Sequence, residues 1–258
     1  MVRPKKNLGQ HFLTEPQIAE DIVSALRGGD YSKLLEIGPG TGVLSFLLLE
    51  REELDPVFLD LDRESIAYLK RKMGEDAPIV HGDFLKLDLE ELMGRDKFGI
   101  IGNFPYNISS QIFFRVLEHR DQVPEVVCML QKEVGDRIAS PHGSKVYGIL
   151  SVLIQAFYRV EKLFDVGPEN FNPPPRVIST VIRLERNERT DLPCEFSQFL
   201  KVVKQGFQNR RKTLRNALKP INLPDQISED PLLSLRAEQL SVEQFIDLSV
   251  RIEKWQSS

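Results

Sequence analysis

The chain has 258 residues, 34 of them Lys or Arg and 38 Asp or Glu, for a formal charge of −4. Hydrophobic content of 41% with 28% charged residues suits a chain with a packed core and excludes long disorder. Two cysteines and four scattered histidines exclude a disulfide scaffold and give no zinc-like spacing, so no metal is expected.

In chain order, the first segment, VRPKKNLGQHF, is basic but lacks the apolar run of a secretory signal. KLLEIG (33–38), PVFLDLD (56–62), APIVHGD (77–83) and KFGIIGNFPY (97–106) then read as strands ending in Gly, Asp or Asn. VVCMLQK (126–132) and STVIRLE (179–185) read as further strands, while 43–52, 63–73 and 108–120 have helical spacing. Such alternation predicts a mainly parallel sheet with helices on both faces. Ligands of such sheets bind beyond the carboxyl ends of the strands, where Gly38, Asp60, Asp83 and Asn103 all fall. The apolar stretch from Tyr147 to Tyr158 is well short of the ~20 residues of a membrane span, so a soluble, cytoplasmic protein is expected. NERTDLP (187–193) reads as a linker, and only helical patterns follow it. The predicted organisation is an α/β domain over 1–187 and a small all-helical domain over 188–258. Ser241 and Gln244 have the spacing of a capping box opening the last helix.

The net charge hides an uneven distribution. Residues 1–14 and 197–219 carry ten Lys or Arg and no acid, which leaves −14 on the rest. Solvated helix faces usually mix signs, so Arg210, Arg211, Lys212 and Arg215 point to phosphate contact. Arg210 falls on the apolar side of an ideal wheel, which predicts a helix break between Gly206 and Asn209.

LEIGPGTG (35–42) links the first strand to a helical run. Glycines there permit a tight turn and close backbone approach to a ligand. Val43 stands where a dinucleotide fingerprint needs its third glycine. The E/D-x-G-x-G-x-G pattern, with Glu36, Gly38 and Gly40, therefore favours S-adenosylmethionine over NAD. Asp60, followed by Leu61, ends the next strand, where a carboxylate can accept both ribose hydroxyls. Asp83 can accept from the adenine amine, and Phe84 can lie on the adenine face. The fourth strand ends in Asn103-Phe104-Pro105-Tyr106, a turn similar to the N-L-P-Y of methyltransferases that modify exocyclic amines. An adenine N6 lone pair is delocalised into the ring and is a poor nucleophile. The Asn103 side-chain oxygen and the Pro105 carbonyl can hold its hydrogens, and Tyr106 can stack on an extruded base.

KKNLGQHFL, EIGPGTG, GDF, NFPYNISS, FNPPPRV (171–177), FQNRRKTLRNAL (207–218) and LSVEQF (240–245) occur in this order. Together they resemble small-subunit ribosomal RNA adenine dimethyltransferases of the KsgA/RsmA type, across residues 3–252. The resemblance implies a Rossmann-like class I methyltransferase sheet and a helical C-terminal domain that binds rRNA. The implied activity is N6,N6-dimethylation of two adjacent adenosines in the 3′-terminal hairpin loop of 16S rRNA, late in subunit assembly. It implies S-adenosylmethionine as cofactor, the small ribosomal subunit as partner, a monomer and no membrane. Gln10, His11 and Leu13 would close over the cofactor held by Glu36, Gly38, Gly40, Asp60, Leu61, Asp83, Phe84 and Asn103. Phe171 would be the second stacking aromatic opposite Tyr106. Two positions depart from the family: NFPY replaces NLPY, and Asp60-Leu61-Asp62 replaces E-x-D, shortening the ribose acceptor by a methylene. Two other readings remain open at this point: a large-subunit rRNA enzyme of the erythromycin-resistance type, and an assembly factor with secondary catalysis.

Overall fold

The computed structural model describes residues 2–223, 227 and 229–256. The chain divides into two compact units, one of residues 1–135 with 161–186, the other of 136–160 with 187–258. The sequence boundary near 187 therefore holds for one crossing only. Residues 136–160, read above as part of the α/β domain, belong to the helical unit.

The first unit is built on a seven-stranded sheet. Its strands are β2 (Lys33–Ile37), β3 (Asp55–Asp60), β4 (Ile79–His81), β5 (Phe98–Asn103), β6 (Glu125–Gln131), β7 (Tyr158–Val166) and β9 (Ser179–Arg186), in the order β4-β3-β2-β5-β6-β9-β7. The first five pair in parallel, and β9 runs antiparallel to β6 with Gln131 opposite Ser179. Two short strands, β1 (Phe12–Leu13) and β8 (Phe171–Asn172), pair separately. Continuous burial along β5 and β6 is what a parallel strand covered on both faces requires. Their apolar residues exceed the period-2 pattern of a half-exposed sheet.

Helices α1 (Pro16–Ser24), α2 (Ser45–Leu49), α3 (Arg63–Met73), α4 (Leu89–Met93), α5 (Ser109–Glu118) and α6 (Lys132–Ala139) connect the strands. Asp62 and Asp88 accept backbone N–H groups at the starts of α3 and α4, satisfying donors that a helix leaves open. Lys70, Arg71 and Lys72 close α3, where cations suit the dipole. Strand β2 has β3 on one side and β5 on the other. Successive crossovers leave it in opposite directions, which opens a crevice at its carboxyl end.

The second unit contains α7 (Ile149–Gln155), α8 (Phe196–Gln208), α9 (Leu214–Ala217) and α10 (Val242–Gln256). Phe207 is central, with its ring 6.0 Å from Tyr147 and 5.7 Å from Phe245. Helix α8 ends at Gln208, so the basic residues beyond it leave the continuous wheel. The stretch 210–218 is helical only in part, since α9 starts at Leu214. Ser241 Oγ accepts from Gln244 N at 3.2 Å and Gln244 Oε1 accepts from Ser241 N at 2.9 Å, which completes the expected capping box. Among the described residues no helix is long and apolar enough to cross a membrane.

Candidate active site

One cleft in the first unit gathers residues from five sequence segments. It holds about 930 Å³ including its open mouth, and its lining includes Gln10, His11, Gly38, Gly40, Asp60, Leu61, Asp83, Phe84, Asn103, Pro105 and Tyr106. The glycine turn makes the cleft possible. Gly40 has φ 57°, and a Cβ there would sit 2.7 Å from the Phe12 ring. A side chain at this position would collide with the segment that covers the turn.

Asp60 is 6% exposed. Its Oδ2 accepts from Gly40 N at 3.1 Å and its Oδ1 from Asp62 N at 2.8 Å. Burial raises its pKa against the lowering effect of these two N–H donors. The carboxylate thus bridges the glycine turn and the end of β3, with lone pairs left for a ligand. Asp83 Oδ1 accepts from Leu85 N at 3.0 Å, which fixes the turn after β4.

At the end of β5, Asn103 Nδ2 donates to the His11 carbonyl at 2.8 Å. Its Oδ1 is buried and has no hydrogen-bond partner. A buried amide oxygen left empty is costly to the free protein, and here it lies on the cleft wall. Pro105 O accepts from Ile108 N at 3.2 Å, which sets the turn and leaves that carbonyl a second lone pair. The Tyr106 hydroxyl lies 2.5 Å from Ser179 Oγ, and burial raises its pKa. The His11 ring stacks on Tyr106 at 5.3 Å between centroids and 26° between planes. His11 Nδ1 is in turn 2.7 Å from Pro173 O.

Three expected site residues lie elsewhere. Phe171 is 4% exposed and packs in the hydrophobic core with Met129 and Val181. It is absent from the cleft lining; the ring set against Tyr106 is His11. Leu13 pairs across from Phe171 and is buried in the same core, because alternate residues of a strand face opposite ways. Phe12 faces the cleft instead. Glu36 lies behind the glycine turn, 1% exposed, where its Oε2 accepts from Ser45 Oγ at 2.6 Å. Burial and the neighbouring Asp60 push its carboxyl up to about 8, with the Ser45 bond acting against them.

Within the second unit, Arg211, Lys212 and Arg215 are exposed. Arg210 differs. Its guanidinium donates to the Lys145 carbonyl at 2.9 Å and the Tyr147 carbonyl at 2.6 Å, and it lies 5.8 Å from the Phe207 ring. It ties the 145–147 segment to the end of α8, a structural contact that the sequence did not indicate. Sequence reasoning missed Lys5, Asp62 and Ser179, whose roles depend on partners 57 and 73 positions away.

The strand order and this cleft define a class I methyltransferase. The family model for ribosomal RNA adenine dimethylases matches residues 1–254, and the chain belongs to that family. It is 55% identical over 252 residues to the ribosomal RNA small subunit methyltransferase A of Cytophaga hutchinsonii, covering 96% of each chain. With that of Flavobacterium johnsoniae it shares 50% over 257 residues, covering 98% of this chain and 97% of the other. A crystal structure of a dimethyladenosine transferase from Plasmodium falciparum superposes with a TM-score of 0.78 at 25% identity, covering 95% of this chain and 98% of the other. The 23S rRNA methyltransferase ErmE shares the fold, with a TM-score of 0.65 at 20% identity over 92% of this chain and 98% of its own.

Proposed function

We propose that the protein uses S-adenosylmethionine to dimethylate N6 of two adjacent adenosines in the 3′-terminal hairpin loop of 16S rRNA, within the small ribosomal subunit. The observation that carries this reading is the buried, unpartnered Asn103 Oδ1 on the cleft wall beside Pro105 and Tyr106. An acceptor in that state suits an amine hydrogen. Relatives named for the small subunit at about half identity along the whole chain support the choice of rRNA.

The donor set fits the cofactor, with a buried carboxylate at the end of β3, a glycine turn open to close approach and Asp83 beside Phe84. Bound S-adenosylmethionine supplies an electrophilic methyl group on a sulfonium. Asp60 would accept from the ribose hydroxyls and Asp83 from the adenine amine, and Phe84 would cover the adenine. Asn103 Oδ1 and the free lone pair of Pro105 O would accept hydrogen bonds from the target amine and favour a more tetrahedral nitrogen. Tyr106, anchored by Ser179, offers its ring to the extruded base. No group in this scheme needs to form a bond to substrate, so positioning and electrostatics carry the rate. The exposed cations Arg211, Lys212 and Arg215 contact rRNA phosphates.

The test is transfer of labelled methyl from S-adenosylmethionine to purified small subunits lacking the modification, with large subunits in parallel. Labelled dimethyladenosine in the small subunit alone is expected. Label in the large subunit alone, or none in either, overturns the reading.

A further inference from the structure

The segment from Lys5 to His11 is fixed at both ends by side-chain contacts. Lys5 Nζ lies 2.5 Å from Asp62 Oδ1 and 3.3 Å from Glu64 Oε1. Gln10 Nε2 donates to the other Asp62 oxygen at 3.2 Å, while its Oε1 accepts from Lys5 N at 2.8 Å. The intervening turn is closed on itself in this way. The Asp62 side chain has no exposed surface. Burial alone would lift its carboxyl, but Lys5, Glu64 N–H and Gln10 together hold it below the usual value. Asp62 N also donates to Asp60 Oδ1 at 2.8 Å. At the far end, the His11 carbonyl takes the Asn103 Nδ2 hydrogen.

That last bond decides the chemistry of the site. A carbonyl can receive only the nitrogen end of an amide. While His11 O is in place, the Asn103 amide must therefore turn its oxygen toward the cleft. If the segment lifts away, the amide can rotate and present its NH2 to the target amine, donor against donor, and the acceptor is lost. We propose that residues 5–11 form a strap, latched by Lys5 and Gln10 on Asp62, that sets the Asn103 amide for methyl transfer. Lys5, Gln10 and Asp62 are then positioning residues for the reaction, acting through the His11 carbonyl. The inference rests on the reading of Asn103 as the acceptor of the amine hydrogen.

The experiment measures single-turnover methyl transfer to small subunits lacking the modification, at saturating S-adenosylmethionine, for wild type, Lys5→Ala, Lys5→Arg and Asp62→Asn. Cofactor dissociation constants are measured in parallel, so that weaker binding is removed from the comparison. Lys5→Ala and Asp62→Asn are expected to slow the transfer step about tenfold, the scale of a modest misplacement of a reacting group. Lys5→Arg should restore the rate, because it keeps the cation against Asp62. Amide hydrogen exchange over residues 5–12 should rise in Lys5→Ala alone of the two Lys5 variants. A wild-type transfer rate in cofactor-saturated Lys5→Ala overturns the proposal and leaves the segment a cofactor cover. Failure of the wild-type protein to transfer label would overturn the assigned function instead.

Discussion

The cleft of the first unit and the basic run of the second use charge in opposite ways. Around the cleft, Asp60 is held by Gly40 and Asp62, and Asp62 by Lys5 and Gln10. Along 201–219 the cations Arg211 and Lys212 stand out in solvent. Buried, bonded charge gives fixed geometry and is little screened by salt, whereas exposed like charge gives long-range attraction that salt removes. The first suits a step whose atoms must be placed to a fraction of an ångström, the second a large anionic partner met before any detail is read. Arg210 shows that sequence position alone does not assign a residue to either kind. It lies in the basic run but is bonded like a cleft residue.

The sharpest way to break this contrast is at Asn103. Asn103→Ala should lower methyl transfer by about 10²–10³-fold, as loss of a preorganised polar group does, with cofactor affinity nearly retained. Binding titrations beside single-turnover rates check this, and a lost subunit affinity with normal chemistry would contradict it. Asp60→Ala should weaken S-adenosylmethionine binding by about 10–100-fold, the scale of hydrogen bonds to a charged group. Calorimetry reads this directly.

The basic run is probed by a pair of variants. Arg211→Ala with Lys212→Ala should flatten the slope of log affinity for rRNA against log salt by about 1.5, leaving thermal stability unchanged. Arg210→Ala should leave that slope alone and cost about 1 kcal/mol of stability, the net worth of a typical hydrogen bond, because the Tyr147 carbonyl loses a donor. Equal salt slopes in the two variants would erase the distinction.

The smallest effect concerns Glu36. Its folded pKa of about 8 lies above the ordinary 4.5, so between those values the folded state keeps a proton that the unfolded chain has released. Stability therefore falls as pH rises through that window. Glu36→Gln keeps a group that can accept from Ser45 and takes up no proton. The decline of Tm from pH 5 to 8 should be shallower in this variant, and parallel curves would show that the carboxyl is not the source.

Much of the site was legible because strand ends announce themselves. Gly38, Asp60, Asp83 and Asn103 each terminate an apolar run, and a parallel sheet brings such ends together. Strand β7 was not read, since its residues Glu161, Lys162 and Asp165 break the apolar pattern of an interior strand and it follows an apolar helix without a turn signal. Phe171 was assigned to the cleft through resemblance, but its neighbours are set by the pairing of β1 with β8. Nothing in the local sequence encodes that pairing. The Lys5–Asp62 contact was invisible for the same reason: a lysine near a terminus reads as solvent-exposed charge until its partner is located.

The discontinuous second unit has a consequence for synthesis. Residues 136–160 leave the ribosome before 187–258, yet they share a core with them. Their helix carries Val152, Leu153 and Ile154, all fully buried in the finished protein, and that surface has no cover until the last helices emerge. The α/β unit, by contrast, has all its strands once residue 186 is made. A nascent chain paused between these points would present a greasy, unfinished module beside a completed one, and a fragment ending near 187 would keep that defect permanently.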